Sequence, residues 1–411
     1  MIPHETEAAR FLKPIRLSAY TLATCLGAGL EATREALRTG ASGLRSAPFD
    51  TLDLETYTGQ IEGLEQVCLP TALAAYDCRN NRAAERALRL DGFEQAVAAA
   101  SARHGPARIG VFIGTSTAGI LQTEQAYRRR DPADGSLPPG FDYRGTQNTF
   151  SVATFVRARL RLEGPCSAVS TACSSSAKVF ASAQRFMRAG LIDAAVVGGV
   201  DTLCLTTLYG FNSLQLLSRE PCRPYDARRD GISIGEGAAF ILLERADDAV
   251  EGEGVWLLGA GESCDAHHMS APHPEGLGAR LAMSAALEAA GLGPGDVDYV
   301  NLHGTGTPSN DAAEDKAVVG LLGSAIPCSS TKGMTGHTLG AAGAVEAILT
   351  VLALADGRIP GSAGTREVDP ALGACYQKEG RPAALAVGMS NSFGFGGSNC
   401  SLVFGRLPRA A

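Results

Sequence analysis

Cys173 stands in a setting that can activate a thiol. Its neighbours Ala172 and 174–176 are small, and residues 178–190 follow with the periodicity of a helix. A helix N-terminus lowers the pKa of a thiol, whose thiolate is the reactive form, and small neighbours leave room for a substrate. The same features also suit a buried structural cysteine. Other residues must therefore decide between a nucleophile and a core residue.

Three further segments hold residues that could assist such a nucleophile. His303 ends an apolar run that predicts a buried strand, and it enters a loop of glycines and threonines. Lys332 and His337 flank a short turn ahead of a glycine- and alanine-rich helix. Residues 394–397 form a glycine loop around Phe395, where the backbone can approach a ligand closely. Each segment alone is compatible with a structural role, but the four together favour a catalytic thiol.

Alternating strands and helices must position these residues. Short apolar runs predict strands buried on both faces, and helical patterns separate them. The strand runs are 108–114, 193–200, 238–244, 298–304 and 384–390. This alternation predicts α/β layers with parallel or mixed sheets. A faint similarity between "AAVVGGVDTL" and "LAVGMSNSF" is compatible with an internal duplication.

Composition argues against several classes of protein. The 411 residues carry a formal net charge of -7 and no basic block, which disfavours a general nucleic-acid binder. The eleven cysteines include no C-x-x-C pair and indicate reduced thiols. The first residues lack a signal-peptide pattern, and the most apolar stretch, 340–357, is short for a membrane span and contains Glu346. We therefore expect a soluble cytoplasmic protein with neither a membrane nor a nucleic-acid partner.

The order of the motifs resembles a known family. The matching pieces are "TACSSSA" (171–177), "CRPYDARRDGISIGEGAAFILLE" (222–244), "HGTGTP" (303–308), "TKGMTGHTLGAAGAVEA" (331–347) and "NSFGFGGSN" (391–399). Over nearly its whole length, the chain resembles a β-ketoacyl-acyl-carrier-protein synthase of the elongating type, within the thiolase superfamily. Some details are similar to ketosynthases of aryl-polyene or other specialised pathways. Housekeeping fatty-acid elongation and polyketide synthesis stay open as alternatives.

This resemblance implies an α/β fold of the thiolase type, with duplicated halves in a five-layered αβαβα sandwich. The first half, residues 1–258, would carry the nucleophile, and the second half, residues 259–411, would carry the catalytic histidine pair. The resemblance also implies a homodimer or a ketosynthase heterodimer.

The resemblance also implies a mechanism. Cys173 would accept an acyl chain as a thioester, which divides a difficult transfer into two easier steps. Malonyl-carrier protein would then lose carbon dioxide, and His303 and His337 would donate hydrogen bonds to the developing enolate. The backbone N–H groups of Cys173 and Phe395 would form an oxyanion hole, and the Phe395 side chain would gate the pocket. Acyl carrier protein is thus the expected partner.

The same resemblance extends to residues around the reacting groups. Lys332 and Glu314 would form an ion pair that orients the histidines. Thr305 and Thr307 would bind the phosphopantetheine arm of the carrier protein, the only cofactor implied. Further substrate contacts are expected from Phe393, Thr117 and Met334. A structural sodium or potassium ion is expected near Asn301, Glu314, Glu346, Ser390 and Asn391. No transition metal is implied, because no cluster has ligand spacing.

Several alternatives compete with this interpretation. "GISIG" around Ser233 matches the nucleophile elbow of hydrolases, but the obvious strand follows the motif instead of preceding it. A degradative thiolase would need a second catalytic cysteine, for which Cys400 is the candidate. An initiating synthase would carry asparagine in place of His337. A chain-length-factor-like subunit, which shapes the pocket without catalysing, would lack the nucleophile, although a catalytic chain could still depend on such a partner.

Carrier proteins are acidic, so the resemblance implies a basic docking surface. Two groups of arginines are candidates, and either could instead be an ordinary solvated helix face. They are Arg79, Arg82 and Arg86, and Arg128, Arg129 and Arg130.

Overall fold

A computed structural model describes residues 14–46, 48–245 and 254–406. These residues form sixteen strands and eleven α-helices. The strands are β1 Ile15–Thr24, β2 Gly27–Ala28, β3 Thr58–Gly59, β4 Ile109–Gly114, β5 Cys166–Val169, β6 Ala194–Asp201, β7 Ile234–Gly235, β8 Gly237–Arg245, β9 Val255–Cys264, β10 Tyr299–Asn301, β11 Pro327–Ser329, β12 Arg358–Ile359, β13 Cys375–Tyr376, β14 Arg381–Pro382, β15 Val387–Gly394 and β16 Ser398–Arg406. The helices are α1 Leu30–Thr39, α2 Arg79–Leu88, α3 Phe93–His104, α4 Ile120–Arg128, α5 Ser151–Arg159, α6 Ser175–Arg188, α7 Leu205–Ser213, α8 Leu277–Ala290, α9 Pro308–Leu322, α10 Lys332–Thr335 and α11 Ala342–Asp356.

The strands repeat one topology twice. In the first half the order is β5-β4-β6-β8-β1, and in the second half it is β11-β10-β15-β16-β9. In each half the first three strands of this order run parallel, and the last two pair antiparallel. The halves join where Ile15 and Arg16 of β1 pair with Leu257 and Trp256 of β9. The predicted α/β fold with duplicated halves is confirmed, and all five predicted strand runs contain strands.

Helices lie between and outside the two half-sheets. α6 packs on β4 and β6, α11 packs on β15, and α6 and α11 contact each other. α2, α3 and α5 pack against the first half-sheet, whereas α8 packs against β9 and β16 and also contacts α9. The result is the five-layered arrangement, with α6 and α11 as its central layer.

The central layer also explains the most apolar stretch of the sequence. Within the described residues, one helical stretch, Leu339–Asp356, is long and apolar enough to cross a membrane, but 89% of it is buried inside the fold. Its residues pack with α6 and both half-sheets in one hydrophobic cluster. This stretch is therefore a core helix.

The second half begins earlier than the sequence resemblance implied. β9 is the first strand of the second repeat and starts at Val255. The predicted division between residues 258 and 259 therefore falls inside this strand. A division there would split the β9–β16 ladder, in which β9 residues from Val255 to Cys264 pair with β16.

Candidate active site

The chain turns sharply between β5 and α6, and Cys173 lies in this turn. Ala172, directly before the cysteine, has a φ of 53°, a left-handed conformation that is uncommon for residues other than glycine. The carbonyl oxygen of Ala172 accepts hydrogen bonds from the Ser175 N–H at 3.2 Å and from the Ser116 hydroxyl at 3.3 Å. These bonds hold the strained turn, which leaves the cysteine buried beside the start of α6.

His337 approaches the thiol from the second half of the molecule. Its Nε2 lies 3.0 Å from Cys173 Sγ, and its Nδ1 accepts a hydrogen bond from the Leu339 N–H at 3.2 Å. Burial and the nearby Lys332 ammonium lower the pKa of His337 well below its usual value, so the ring is neutral. A neutral imidazole carries one proton, and because Nδ1 is an acceptor, that proton sits on Nε2.

His303 is held in the same tautomer by a different donor. The Lys332 ammonium lies 3.4 Å from His303 Nδ1 and also donates to the His303 carbonyl oxygen. Burial, followed by Lys332 and His337, lowers the pKa of His303 well below its usual value. An ammonium can only donate, so His303 also carries its proton on Nε2.

Three reacting groups thus converge on one space. Cys173 Sγ and one ring nitrogen each of His303 and His337 lie within 4.8 Å of one another, and all three residues are buried. The two imidazole rings meet edge to face, with centroids 5.3 Å apart. Their N–H groups are placed to donate to negative charge on a substrate oxygen in this space.

The thiol itself is protonated in the free site. Burial raises the pKa of Cys173 to about 11, although the Lys332 charge and the Phe395 backbone N–H act to lower it. At a pKa of about 11, fewer than one thiol in a thousand is ionised near neutral pH. The ionised fraction falls roughly tenfold for each pH unit below the pKa. The site holds a neutral nucleophile and two neutral hydrogen-bond donors.

The predicted ion pair between Lys332 and Glu314 is wrong. Lys332 pairs instead with Glu346 of α11, and both side chains are buried. Glu314 accepts hydrogen bonds from the backbone N–H groups of His303 at 2.8 Å and Gly304 at 2.7 Å. Burial raises the pKa of both carboxyls to about 7, against the opposing effect of these hydrogen bonds and of Lys332. Glu314 therefore fixes the backbone of His303, and Lys332 fixes its ring.

The two threonines after His303 line the cavity beside the thiol. The hydroxyl groups of Thr305 and Thr307 lie 2.9 Å apart. Asp311 shapes their loop, because it accepts hydrogen bonds from the N–H groups of Thr305 at 3.0 Å and Gly306 at 3.2 Å. A rigid loop thus presents two hydroxyls to whatever enters the cavity.

Aromatic side chains close this cavity. Phe393 and Phe395 both line it, and the Phe395 ring lies 5.6 Å, between centroids, from Phe211 of α7. The cavity volume is about 50 Å³. Since roughly 10–15 Å³ of this kind of volume holds one water, the cavity has room for only a few water molecules. Phe395 is flanked by Gly394 and Gly396, whose backbone freedom permits this wall residue to move.

Thr117 and Met334 do not line this cavity, and their expected substrate contacts stay predictions. The Thr117 hydroxyl donates to Asp201 at 2.9 Å, so it points into the protein. The Met334 side chain belongs to the hydrophobic cluster around α11. Sequence reasoning could not foresee either orientation, because each depends on a partner distant in the chain.

In the described residues, three of the expected ion ligands carry buried oxygen atoms that lack hydrogen-bond partners. Within the described part of the chain, Asn301 Oδ1, Ser390 Oγ and Glu346 Oε2 are buried and accept no hydrogen bond. Unpaired buried oxygens are costly, and a hard monovalent cation would satisfy them. Asn391 and Glu314 are already engaged with each other at 3.3 Å. Among the expected ion ligands, Asn301, Ser390 and Glu346 therefore fit a cation best.

The two candidate nucleophiles of the alternative enzyme classes, Ser233 and Cys400, are structural residues. Ser233 is fully buried, and its hydroxyl oxygen accepts a hydrogen bond from the Cys222 N–H at 3.0 Å. Cys400 lies in β16 within the hydrophobic core, and burial raises the pKa of its thiol. Neither residue lines the cavity beside Cys173.

The first predicted docking group of arginines is also corrected. Arg79 is buried and pairs with Glu236, and Arg82 pairs with Asp77. Arg128 pairs with Asp50. Arg129 and Arg130 are exposed and make no ion pair with the described residues. The sequence could not reveal the Arg79 pair, whose members lie 157 residues apart.

Several cavity-lining residues escaped the sequence analysis. They are Phe211, Leu216, Ile232, Asp265, Ser270 and Asn399. Ile232 and Asn399 lie within two of the motifs quoted above, 222–244 and 391–399, but neither was singled out there, and the other four residues lie outside those motifs. Phe211 and Leu216 belong to the segment "YGFNSLQL" (209–216), which covers the end of α7 and the residues after it.

Two family profiles match the chain in the order of its two halves. Residues 13–249 match the profile described as "Beta-ketoacyl synthase, N-terminal domain", and residues 256–366 match "Beta-ketoacyl synthase, C-terminal domain". The chain belongs to the β-ketoacyl synthase family. The gap between the two matches ends at the start of β9, in agreement with the repeated topology.

Individual members of this family are similar over most of their length. The 3-oxoacyl-[acyl-carrier-protein] synthase 2 of Vibrio cholerae is 34% identical over 93% of this chain and 96% of its own length. A ketosynthase in complex with its chain length factor from Xenorhabdus doucetiae is 37% identical to this chain, with a TM-score of 0.87. The match covers 98% of this chain and 100% of the matched chain. The ishigamide ketosynthase/chain length factor is 27% identical, with a TM-score of 0.85 over 96% and 100% of the two chains.

Proposed function

We propose that this chain is a β-ketoacyl-acyl-carrier-protein synthase, an acyltransferase that condenses a Cys173-bound acyl group with malonyl-carrier protein. The observation that carries this proposal is the convergence of the Cys173 thiol with the imidazoles of His303 and His337, both protonated on Nε2. Its relatives named 3-oxoacyl-[acyl-carrier-protein] synthase support the same reaction.

In the first step, Cys173 attacks the thioester carbonyl of an acyl-carrier protein. The backbone N–H groups of Cys173 and Phe395 stabilise the oxyanion of the tetrahedral intermediate. The intermediate collapses with cleavage of the bond to the pantetheine sulfur. The thiol proton of Cys173 passes to that departing sulfur, so the acyl group moves to the enzyme with no net change in charge.

In the second step, malonyl-carrier protein loses carbon dioxide. The electron pair of the breaking carbon–carbon bond moves into the thioester carbonyl and forms an enolate. His303 and His337 donate their Nε2–H groups to the enolate oxygen. The enolate carbon attacks the Cys173 thioester, and the cysteine leaves as a thiolate that takes up a proton from solvent. The product is a β-ketoacyl-carrier protein that is two carbons longer.

The surrounding residues position these groups. Lys332 and Glu314 hold the ring and the backbone of His303, respectively. Thr305 and Thr307 bind the phosphopantetheine arm of the carrier, and Phe393 lines its path to the thiol. Asn301, Ser390 and Glu346, whose buried oxygens are unpaired, would hold a structural sodium or potassium ion. Such an ion would have no chemical role in the reaction.

The carrier protein docks on the surface where α4 meets α7. Phe211 of α7 lines the cavity, and α4 packs against α7. Arg129 and Arg130 follow α4 and are exposed, and their charges suit an acidic partner. Docking here would bring the phosphopantetheine arm toward the cavity.

The chain works as a dimer in the cytoplasm. β5 is the last strand of the sheet, and its four residues are half-buried with one edge open. An open edge next to the nucleophile turn is suited to a second subunit. Two similar structures are a ketosynthase in complex with its chain length factor and the ishigamide ketosynthase/chain length factor. This similarity favours a heterodimer over a homodimer and an aryl-polyene-like or polyketide product over a housekeeping fatty acid.

The test is intact mass spectrometry after mixing the chain with a panel of acyl-carrier proteins and then with malonyl-carrier protein. The wild type is expected to gain the acyl mass and to release a product lengthened by two carbons, whereas Cys173→Ala gains nothing. Absence of acylation by every donor, with and without a candidate partner subunit, would reject the catalytic assignment and leave the non-catalytic, chain-length-factor-like role.

A further inference from the structure

A buried carboxylate outside the catalytic trio connects several catalytic segments. Asp201 ends β6 and is fully buried. Its Oδ1 accepts hydrogen bonds from the hydroxyls of Thr115 at 2.7 Å and Thr117 at 2.9 Å, and from the N–H groups of Ser116 at 2.8 Å and Thr117 at 2.9 Å. Its Oδ2 accepts from the Gly340 N–H at 2.5 Å. One carboxylate thus receives five donors from two separate loops.

The first loop leads to the nucleophile. Ser116, whose N–H donates to Asp201, directs its hydroxyl to the carbonyl oxygen of Ala172 at 3.3 Å. Ala172 is the left-handed residue that precedes Cys173. A shift of Asp201 would therefore loosen one of the bonds that hold the nucleophile turn.

The second loop leads to the histidine. Leu339, next to Gly340, has a φ of 52° and donates its N–H to Nδ1 of His337. The fit at Gly340 is tight, because a Cβ there would lie 2.6 Å from Ser116 Oγ and 2.7 Å from Asp201 Oδ2. The His337 turn therefore touches the Ser116 loop directly at this carboxylate, and Ser116 connects it to the nucleophile turn.

Asp201 has no cationic partner. Among the described residues, no lysine or arginine forms an ion pair with it, and its five donors are three amides and two hydroxyls. Its charge is consequently felt nearby: after burial, which is the main cause, Asp201 contributes to the raised pKa of the Cys173 thiol.

We propose that Asp201 is a positioning residue that fixes the nucleophile turn and the His337 turn relative to each other across the two halves of the molecule. This inference rests on the proposed condensing function. It assigns to the end of β6 a role in catalysis that extends beyond the Cys-His-His trio.

The test compares Asp201→Asn with Asp193→Asn, a matched control at the other end of the same strand, where Asp193 pairs with Arg108 on the surface. The asparagine side chain has an NH₂ group in place of one carboxylate oxygen, and this donor would face a backbone N–H that needs an acceptor. The two turns would therefore lose their fixed positions relative to each other. Acyl-enzyme formation and malonyl-carrier decarboxylation should both fall about 10- to 100-fold in Asp201→Asn. Both rates should stay near wild type in Asp193→Asn.

A second readout separates positioning from simple stability. The rate of Cys173 alkylation by iodoacetamide is measured against pH in the folded proteins. Removal of the Asp201 charge favours the thiolate, so the midpoint should move to lower pH by about 0.5 unit in Asp201→Asn. The midpoint in Asp193→Asn should not move.

A folded Asp201→Asn protein with wild-type rates and an unchanged alkylation midpoint would overturn the inference. If this variant does not fold, Thr117→Val decides the question, because it keeps the charge and deletes one donor. Its two rates should fall about fivefold with no shift of the midpoint, and wild-type rates would reject the inference. Alkylation needs no carrier protein, so a wild type that is inactive with every carrier would reject the proposed function and still leave the midpoint test readable.

Discussion

The loops after β4 and β10 hold the same place in the two halves and perform different tasks. Each loop has two threonines separated by one residue. In the first half, the hydroxyls of Thr115 and Thr117 both donate to the buried Asp201. In the second half, Thr305 and Thr307 bond to each other and line the cavity. The same element of a duplicated fold thus stabilises structure in one half and faces the substrate in the other.

The next strand of each half shows a similar division. β5 leads to Cys173, whereas β11 leads to Lys332, which contacts His303. The first half therefore supplies the nucleophile, and the second half supplies the hydrogen-bond donors and their support. If this comparison is correct, variants in the two halves should impair different partial reactions.

The largest expected effect concerns the donors of the second half. His303→Ala and His337→Ala should each lower malonyl-carrier decarboxylation by about 10²- to 10³-fold, because each removes one N–H group from the developing enolate. Acylation of Cys173 should persist in both variants, as detected by intact mass. Equal loss of both partial reactions would contradict the division between the halves.

The free thiol should respond to pH across a wide range. Because burial raises the pKa of Cys173 to about 11, the thiolate fraction grows as pH rises toward that value. Alkylation of the free enzyme should therefore accelerate about tenfold per pH unit between pH 7 and pH 9, roughly 100-fold in total. Stopped assays with iodoacetamide and mass detection measure this profile. A plateau below pH 8 would show an ionised resting thiol.

The two threonine pairs provide the sharpest comparison. Thr305→Val should raise KM for malonyl-carrier protein about fivefold and leave thermal unfolding unchanged, because its hydroxyl faces the cavity. Thr115→Val should lower the free energy of unfolding by about 1 to 3 kcal/mol, because it leaves a buried carboxylate short of a donor, and should leave KM unchanged. Calorimetry and steady-state kinetics on both variants measure these effects. A raised KM in Thr115→Val, or a lowered stability in Thr305→Val, would contradict the assigned roles.

The smallest expected effect is at the carrier surface. Arg129→Glu with Arg130→Glu should raise KM for carrier-protein substrate by about threefold to fivefold, and added salt should shrink the difference. Arg188→Glu is the control, since this exposed arginine lies at the end of α6 far from Cys173. Identical KM values in the double variant and in Arg188→Glu would reject docking where α4 meets α7.

The sequence predicted the parts of the site that are local in the chain. The order of motifs brought Cys173, His303 and His337 together, because each follows a strand or precedes a helix whose place the fold determines. The sequence did not reveal which of two buried carboxylates meets Lys332. Glu314 and Glu346 lie on different helices, and only the packing of α9 and α11 shows that Glu346 is the partner.

Long-range pairs account for the other errors. The sequence predicts Arg79 as an exposed charge on a polar helix, but its side chain is buried against Glu236. The orientation of Thr117, whose hydroxyl Asp201 turns inward, was likewise not foreseen. In both cases a buried acid distant in sequence sets the orientation, and no local pattern encodes that partner.

The most direct test of the central claim is the decarboxylation of malonyl-carrier protein by Cys173→Ala, with release of labelled carbon dioxide as the readout. This variant retains both imidazole donors and has lost only the nucleophile. The account predicts continued decarboxylation, no acyl-enzyme and no condensed product. Loss of decarboxylation in a folded Cys173→Ala protein would contradict it, because the second half would then be unable to form the enolate by itself.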